Sequence, residues 1–181
     1  YGLFLEGATI KTDGDIEIMG SGGSGSEVAA TNGVGIYTRF VDDDPYGDIQ
    51  YQTEITAGEN LTISGTGGTA TIKASETQGV DLSSATLKAG KNIKIIGTGG
   101  TSEENPDTAG SNQGLYLVGT DINTSGGNIT LTGEGGNGGY LITGIEFYDT
   151  LITSAKDMNV EGSGGSGDNV NLAEGIYSFY S

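Results

Sequence analysis

The chain has no cysteine, no histidine and no tryptophan, and only two prolines in 181 residues. Without cysteine there is neither disulfide nor thiolate chemistry. Without histidine the commonest general base and the commonest transition-metal ligand are missing. Basic residues are scarce: seven Lys and Arg stand against 24 Asp and Glu, a formal charge of −17. A surface of that sign gives nucleic acid no basic footprint and is repelled by anionic membranes. No apolar run approaches the ~20 residues that cross a bilayer as a helix. Neither nucleic acid nor membrane insertion is therefore expected. Only 34% of the residues are hydrophobic, a content that without further order reads as disorder.

The order comes from glycine, of which there are 35. One stretch returns five times: Asp15-Ile16-Glu17-Ile18-Met19-Gly20-Ser21-Gly22-Gly23, then the segments beginning at Asn60, Asn92, Asn128 and Asp157. Its template is [Asn/Asp]-apolar-x-apolar-x-Gly-x-Gly-Gly. Two apolar residues at spacing two make a short strand with one buried face. The glycines are expected to turn the chain through positive φ. A second element, Gly-apolar-x-apolar, begins at Gly2, Gly33, Gly79, Gly114, Gly144 and, in a partial copy, Gly175. These starts are 31, 46, 35, 30 and 31 residues apart. A third short strand lies between the two, as in Ala85-Thr86-Leu87-Lys88.

One strand of this kind cannot bury its face alone, so the copies must stack. The expected fold is all-β: a parallel β-helix, or β-solenoid, of about five coils with three short strands per coil and one projecting hairpin. Residues 1–181 form a single such segment. Ile16, Ile18, Leu61, Ile63, Ile93, Ile95, Ile129, Leu131, Met158 and Val160 are expected to point inward as two columns. The Asp15, Asn60, Asn92, Asn128 and Asp157 column reads first as a ladder serving turn backbone groups, and second as a ligand column.

The hairpin is an insert in the second coil, residues 37–52, two alternating strands around Asp42-Asp43-Asp44-Pro45-Tyr46-Gly47. Tyr37, Arg39, Phe40, Tyr46 and Tyr51 supply the residue types that carry interface energy, which marks the insert as a candidate partner surface. The alternative is a hairpin that merely covers one face. Asp42, Asp43, Asp44 and Asp48 form the densest carboxylate group, to be read as a solvated acidic turn or as a Ca²⁺ site. No other cofactor is indicated. Ca²⁺-binding nonapeptide repeats do not fit, because Glu27 stands where the motif needs Asp and the glycine runs are not in tandem. A lyase or hydrolase on this scaffold needs paired acids or Arg and Lys across coils, and Arg39 is the one arginine.

The tandem of Gly-apolar-x-apolar, Ala-Thr-[Ile/Leu] and [Asn/Asp]-Ile-x-Ile-x-Gly-Thr-Gly-Gly resembles the repeat region of filamentous-haemagglutinin-like exoproteins. These are large bacterial surface or secreted adhesins, commonly exported by two-partner secretion. The resemblance covers nearly the whole chain. It implies a right-handed β-helix, an extracellular or cell-surface location, a non-enzymatic scaffold role in attachment, and a glycan or other host or neighbour-cell surface component as partner. It transfers no catalytic residues. The alternatives from the residues are a subunit of an extracellular filament that self-associates end to end, and a carbohydrate-active β-helix enzyme. Both ends fall in the same phase of the repeat without a recognisable cap, so an interior piece of a longer stack is expected.

Overall fold

The structure is a computed structural model that describes residues 1–25, 31–37, 39–40, 50–70, 76–102, 110–167 and 172–179. No helix occurs among them, and the strands stack in parallel as a β-solenoid. The first sheet has six strands: Leu3–Glu6, Val34–Tyr37, Val80–Ser83, Leu115–Val118, Ile145–Tyr148 and Ile176–Phe179. The second has five: Thr9–Thr12, Glu54–Ala57, Thr86–Ala89, Asp121–Thr124 and Leu151–Thr153. The third also has five: Ile16–Ser21, Leu61–Thr66, Ile93–Thr98, Ile129–Glu134 and Met158–Ser163. Every pairing in these sheets joins like positions of successive coils, such as Ile63↔Ile95 and Ile95↔Leu131. Even the partial copy at Gly175 pairs in register, with Ser178 opposite Phe147.

Alternation places the apolar columns inside. Ile36, Ile55, Ile63, Leu82, Leu87, Ile95, Leu117 and Leu131 are fully buried in one continuous cluster. The two columns expected from the repeat are buried in the middle coils. They loosen at the ends: Ile16 and Val160 are partly buried and Met158 is 45% exposed, having a neighbouring strand on one side only.

The structure corrects the expected role of the motif glycines. Positive φ occurs at Gly7, Gly119, Gly138 and Gly139, and at Ser84 and Asp149, none of which is a motif glycine. What the motif requires is close approach of main chains. A Cβ on Gly65 would overlap the Gly79 carbonyl, one on Gly97 the Gly114 carbonyl, and one on Gly133 the Gly144 carbonyl. The second glycine does the same: Gly67 faces the Thr77 carbonyl and Gly99 that of Asn112. The third glycine's amide closes the coil, Gly68 N donating to Thr31 O at 2.7 Å and Gly100 N to Thr77 O at 2.6 Å. Gly136 N donates likewise to Asn112 O at 2.7 Å.

Each coil also holds more pairing than three strands. After the glycines, Ser24–Gly25, Thr69–Ala70 and Thr101–Ser102 form a short fourth ladder, prolonged by bridges through Asn137 and Ser166. A fifth set of bridges joins Glu76, Ser111, Leu141 and Leu172. Inside this region Asn112 is fully buried and fully used. Its Oδ1 accepts from Thr77 Oγ1 at 2.5 Å, and its Nδ2 donates to Ser102 Oγ and to the carbonyls of Asn137 and Gly138.

The Asp15–Asn60–Asn92–Asn128–Asp157 column is the expected ladder. Each side-chain Oδ1 accepts the backbone amide of the next member, from Asp15 Oδ1 with Asn60 N at 2.9 Å to Asn128 Oδ1 with Asp157 N at 3.1 Å. Side-chain amides add Asn60 Nδ2 to Asp15 Oδ1 and Asn92 Nδ2 to Asn60 Oδ1, each at 2.9 Å. These bonds occupy the column structurally, which leaves the ligand reading without support.

Two predictions follow from the packing. Ile95→Asp puts an unpaired charge in the sealed interior and should cost several kcal/mol, enough to abolish cooperative thermal unfolding. Gly97→Ala adds one methyl but meets backbone, so urea unfolding should show a loss of about 3 kcal/mol, above the ~1 kcal/mol expected of Ile95→Val. Normal stability in Gly97→Ala would contradict the close-approach account. A third prediction concerns acid. The Asn60 amide and side chain bonded to Asp15 hold its carboxyl below the ordinary carboxylate value. Its stabilising contribution is thus present above the unfolded-state value and disappears as pH falls through the folded one. Asp15→Asn keeps the acceptor and cannot titrate, so its melting temperature should fall less than the parent's between neutral and strongly acidic pH.

Candidate functional site

With the interior closed by aliphatic side chains, contact surfaces must come from outward positions. On the second and third sheets these are mainly Thr, Ser, Lys and Glu. Two ion pairs are exposed: Lys88 with Glu54 at 3.0 Å on the second sheet, and Lys91 with Glu59 in the turns between the second and third. Lys88 holds the Glu54 carboxyl below its usual range, and Glu59 holds the Lys91 ammonium above its own. Exposed pairs of this kind contribute little to stability.

The first sheet differs. Its x position, outward between two inward apolar residues, forms the register column Phe4, Gly35, Asp81, Tyr116, Glu146 and Tyr177. The adjacent outward column ends in Ser83, Val118, Tyr148 and Phe179. Successive members stand ~4.8 Å apart, so acids and aromatic rings line the sheet along the solenoid axis.

The acids are held by buried amides. Asp81 accepts from Asn32 Nδ2 at 3.4 Å and from Ser83 Oγ at 3.2 Å. Glu146 accepts from Gln113 Nε2 at 3.0 Å. Asn32, Gln78 and Gln113 precede the first-strand glycines and are buried, and the Oε1 atoms of Gln78 and Gln113 have no partner. Tyr116 sits between Asp81 and Glu146. Burial first, then the nearby carboxylates of Glu146, Asp81 and Glu76, push its phenol above the ordinary tyrosine value. It stays a neutral donor through the physiological range.

At the last two strands the column opens into a groove of about 460 Å³. Glu146, Tyr148, Tyr177 and Phe179 line it from the sheet, and Leu141 and Leu172 from the fifth set of bridges. The rings of Tyr148 and Phe179 are stacked, centroids 5.8 Å apart and planes 21° from parallel.

The insert is only partly described. Arg39–Phe40 and Gln50–Tyr51 pair antiparallel, Arg39 opposite Tyr51 and Phe40 opposite Gln50, so its base is a hairpin. Tyr51 is 53% exposed. The side chains of Tyr37, Arg39 and Phe40, and the whole of Asp42, Asp43, Asp44, Tyr46 and Asp48, lie outside the described residues. Among the described residues no group of three or more Asp and Glu could hold a metal ion. None of the groove's lining residues was a candidate from the sequence. The signal that finds two of them, Glu146 and Tyr177, is the x position of Gly-apolar-x-apolar, where three aromatics and two acids occur in six copies.

Comparison with protein-family models, with curated proteins and with solved structures returned no match.

The Tyr116 environment gives a direct check. In an NMR pH titration with ¹³C-labelled tyrosine, Tyr116 should ionise at higher pH than the exposed tyrosines. Glu146→Gln removes a neighbouring negative charge and should lower that value. An unmoved Tyr116 titration would mean that Glu146 does not act on this column.

Proposed function

We propose that the chain is a non-enzymatic scaffold of adhesin type, a stretch of a large bacterial surface or secreted β-helix protein that mediates attachment. The resemblance of its repeats to filamentous-haemagglutinin-like exoproteins motivates the class. The observation that carries the reading is the outer face of the first sheet, where Tyr116, Glu146, Tyr148, Tyr177 and Phe179 form one aromatic and acidic strip. Aromatic faces and carboxylate acceptors suit a partner rich in C–H surface and hydroxyl or ammonium donors, such as a cell-surface glycan. The hairpin at 37–52 extends from the same sheet, since Val34–Tyr37 leads into it.

The test is a glycan screen with the 181-residue chain, beside a form in which residues 38–50 are replaced by a short Gly-Ser turn. Retention of a defined glycan class without release of reducing ends is the expected result. Cleavage of a polysaccharide would replace the scaffold reading with the enzyme. If the replacement form stays folded but loses retention, the hairpin is contact surface; if it unfolds, the hairpin is a cover.

A further inference from the structure

We propose that the groove lined by Glu146, Tyr148, Tyr177, Phe179, Leu141 and Leu172 binds an organic ammonium group carried by the attachment partner. The inference rests on the reading of the first-sheet face as the contacting surface and names the chemistry of one site on it. Among the described residues, three aromatic rings and one carboxylate line a cleft of about 460 Å³, a volume suited to a small ligand group. An ammonium is attracted to ring faces within ~6 Å, and quaternary ammoniums are recognised by cages of such rings. Glu146 provides the counter-charge, and among the described residues no Lys or Arg lines the groove to compete for it. The chain's formal charge of −17 favours a cation further.

The carboxylate is fixed in advance. Gln113, 2% exposed, donates its Nε2 to Glu146 Oε2 at 3.0 Å. Gln113 lies outside the groove's lining, so it positions the acid. The stacked Tyr148 and Phe179 rings hold each other in place. Ring faces and one carboxylate call for a positive group, and an ammonium offers charge, donor or C–H contacts, and no acceptor of its own. A neutral sugar meets the hydroxyl requirement but leaves the Glu146 charge uncompensated, and an anion is repelled.

The experiment titrates the 181-residue chain with choline, with its uncharged carbon isostere neohexyl alcohol, and with glucosamine against N-acetylglucosamine, following tyrosine resonances by NMR. Saturable shifts of Tyr148 and Tyr177 with choline but not with neohexyl alcohol are expected. Glucosamine binding without N-acetylglucosamine binding would assign the source to an amino sugar, and choline alone to a quaternary headgroup. Glu146→Gln should weaken choline binding about tenfold, and the added salt that screens a charge should weaken the parent in the same direction. Tyr177→Leu keeps apolar bulk and should also weaken it, with an unchanged melting temperature as the folding control. Equal binding of choline and neohexyl alcohol, or parent-like affinity in Glu146→Gln, overturns the proposal. If choline and glucosamine both fail while the glycan screen still retains a ligand, the ammonium assignment alone is wrong; if the screen fails too, the attachment reading falls with it.

Discussion

The structure depends on main chain touching main chain. At the end of each third strand an inward position holds glycine, and the next coil's first-strand carbonyl occupies the space a side chain would take. Two residues on, a second glycine meets the carbonyl that opens its own next turn, and a third donates the amide that shuts the coil. The seam therefore has no side-chain layer. It brings the first and third sheets together at one corner, while Leu and Ile fill the rest of the section. A chain with only 34% hydrophobic residues can form a sealed core this way, because the core is narrow where the glycines meet.

That narrowness assigns the other columns their roles. Asn and Asp at the turn before the third strand join coil to coil by side-chain acceptance of a backbone amide. Asn112 does comparable work inside the seam region, tying Thr77 and Ser102 to the carbonyls of the next turn. With interior and turns committed to structure, chemical variety is confined to outward positions. The first sheet carries most of it.

The three-sheet architecture was legible because apolar residues alternate at fixed offsets in five copies, and parallel register follows from aligning them. The glycines were legible as necessary but not for the right reason. A φ requirement and a close-contact requirement select the same residue, and only packing separates them, as Gly65 and Gly119 do. The fourth ladder escaped because Ser24, Thr69 and Thr101 read as turn residues and have no apolar partner to announce a strand. The groove escaped for a different reason. Glu146 and Tyr177 are each ordinary in their own coil, and they become a site only when coils about thirty residues apart are laid side by side.

The direction of the ladder bonds has a mechanical consequence. Strands run across the solenoid, so their hydrogen bonds and the Asn–Asp chain lie along its axis. Tension applied between the two ends loads one coil interface after another instead of shearing whole sheets at once. Coils can then peel off singly, each exchanging ~4.8 Å of stacked height for a contour of ~100 Å. A tether built in this way lengthens in steps under load, and the coils still stacked keep their outer faces intact while the detached one absorbs the pull.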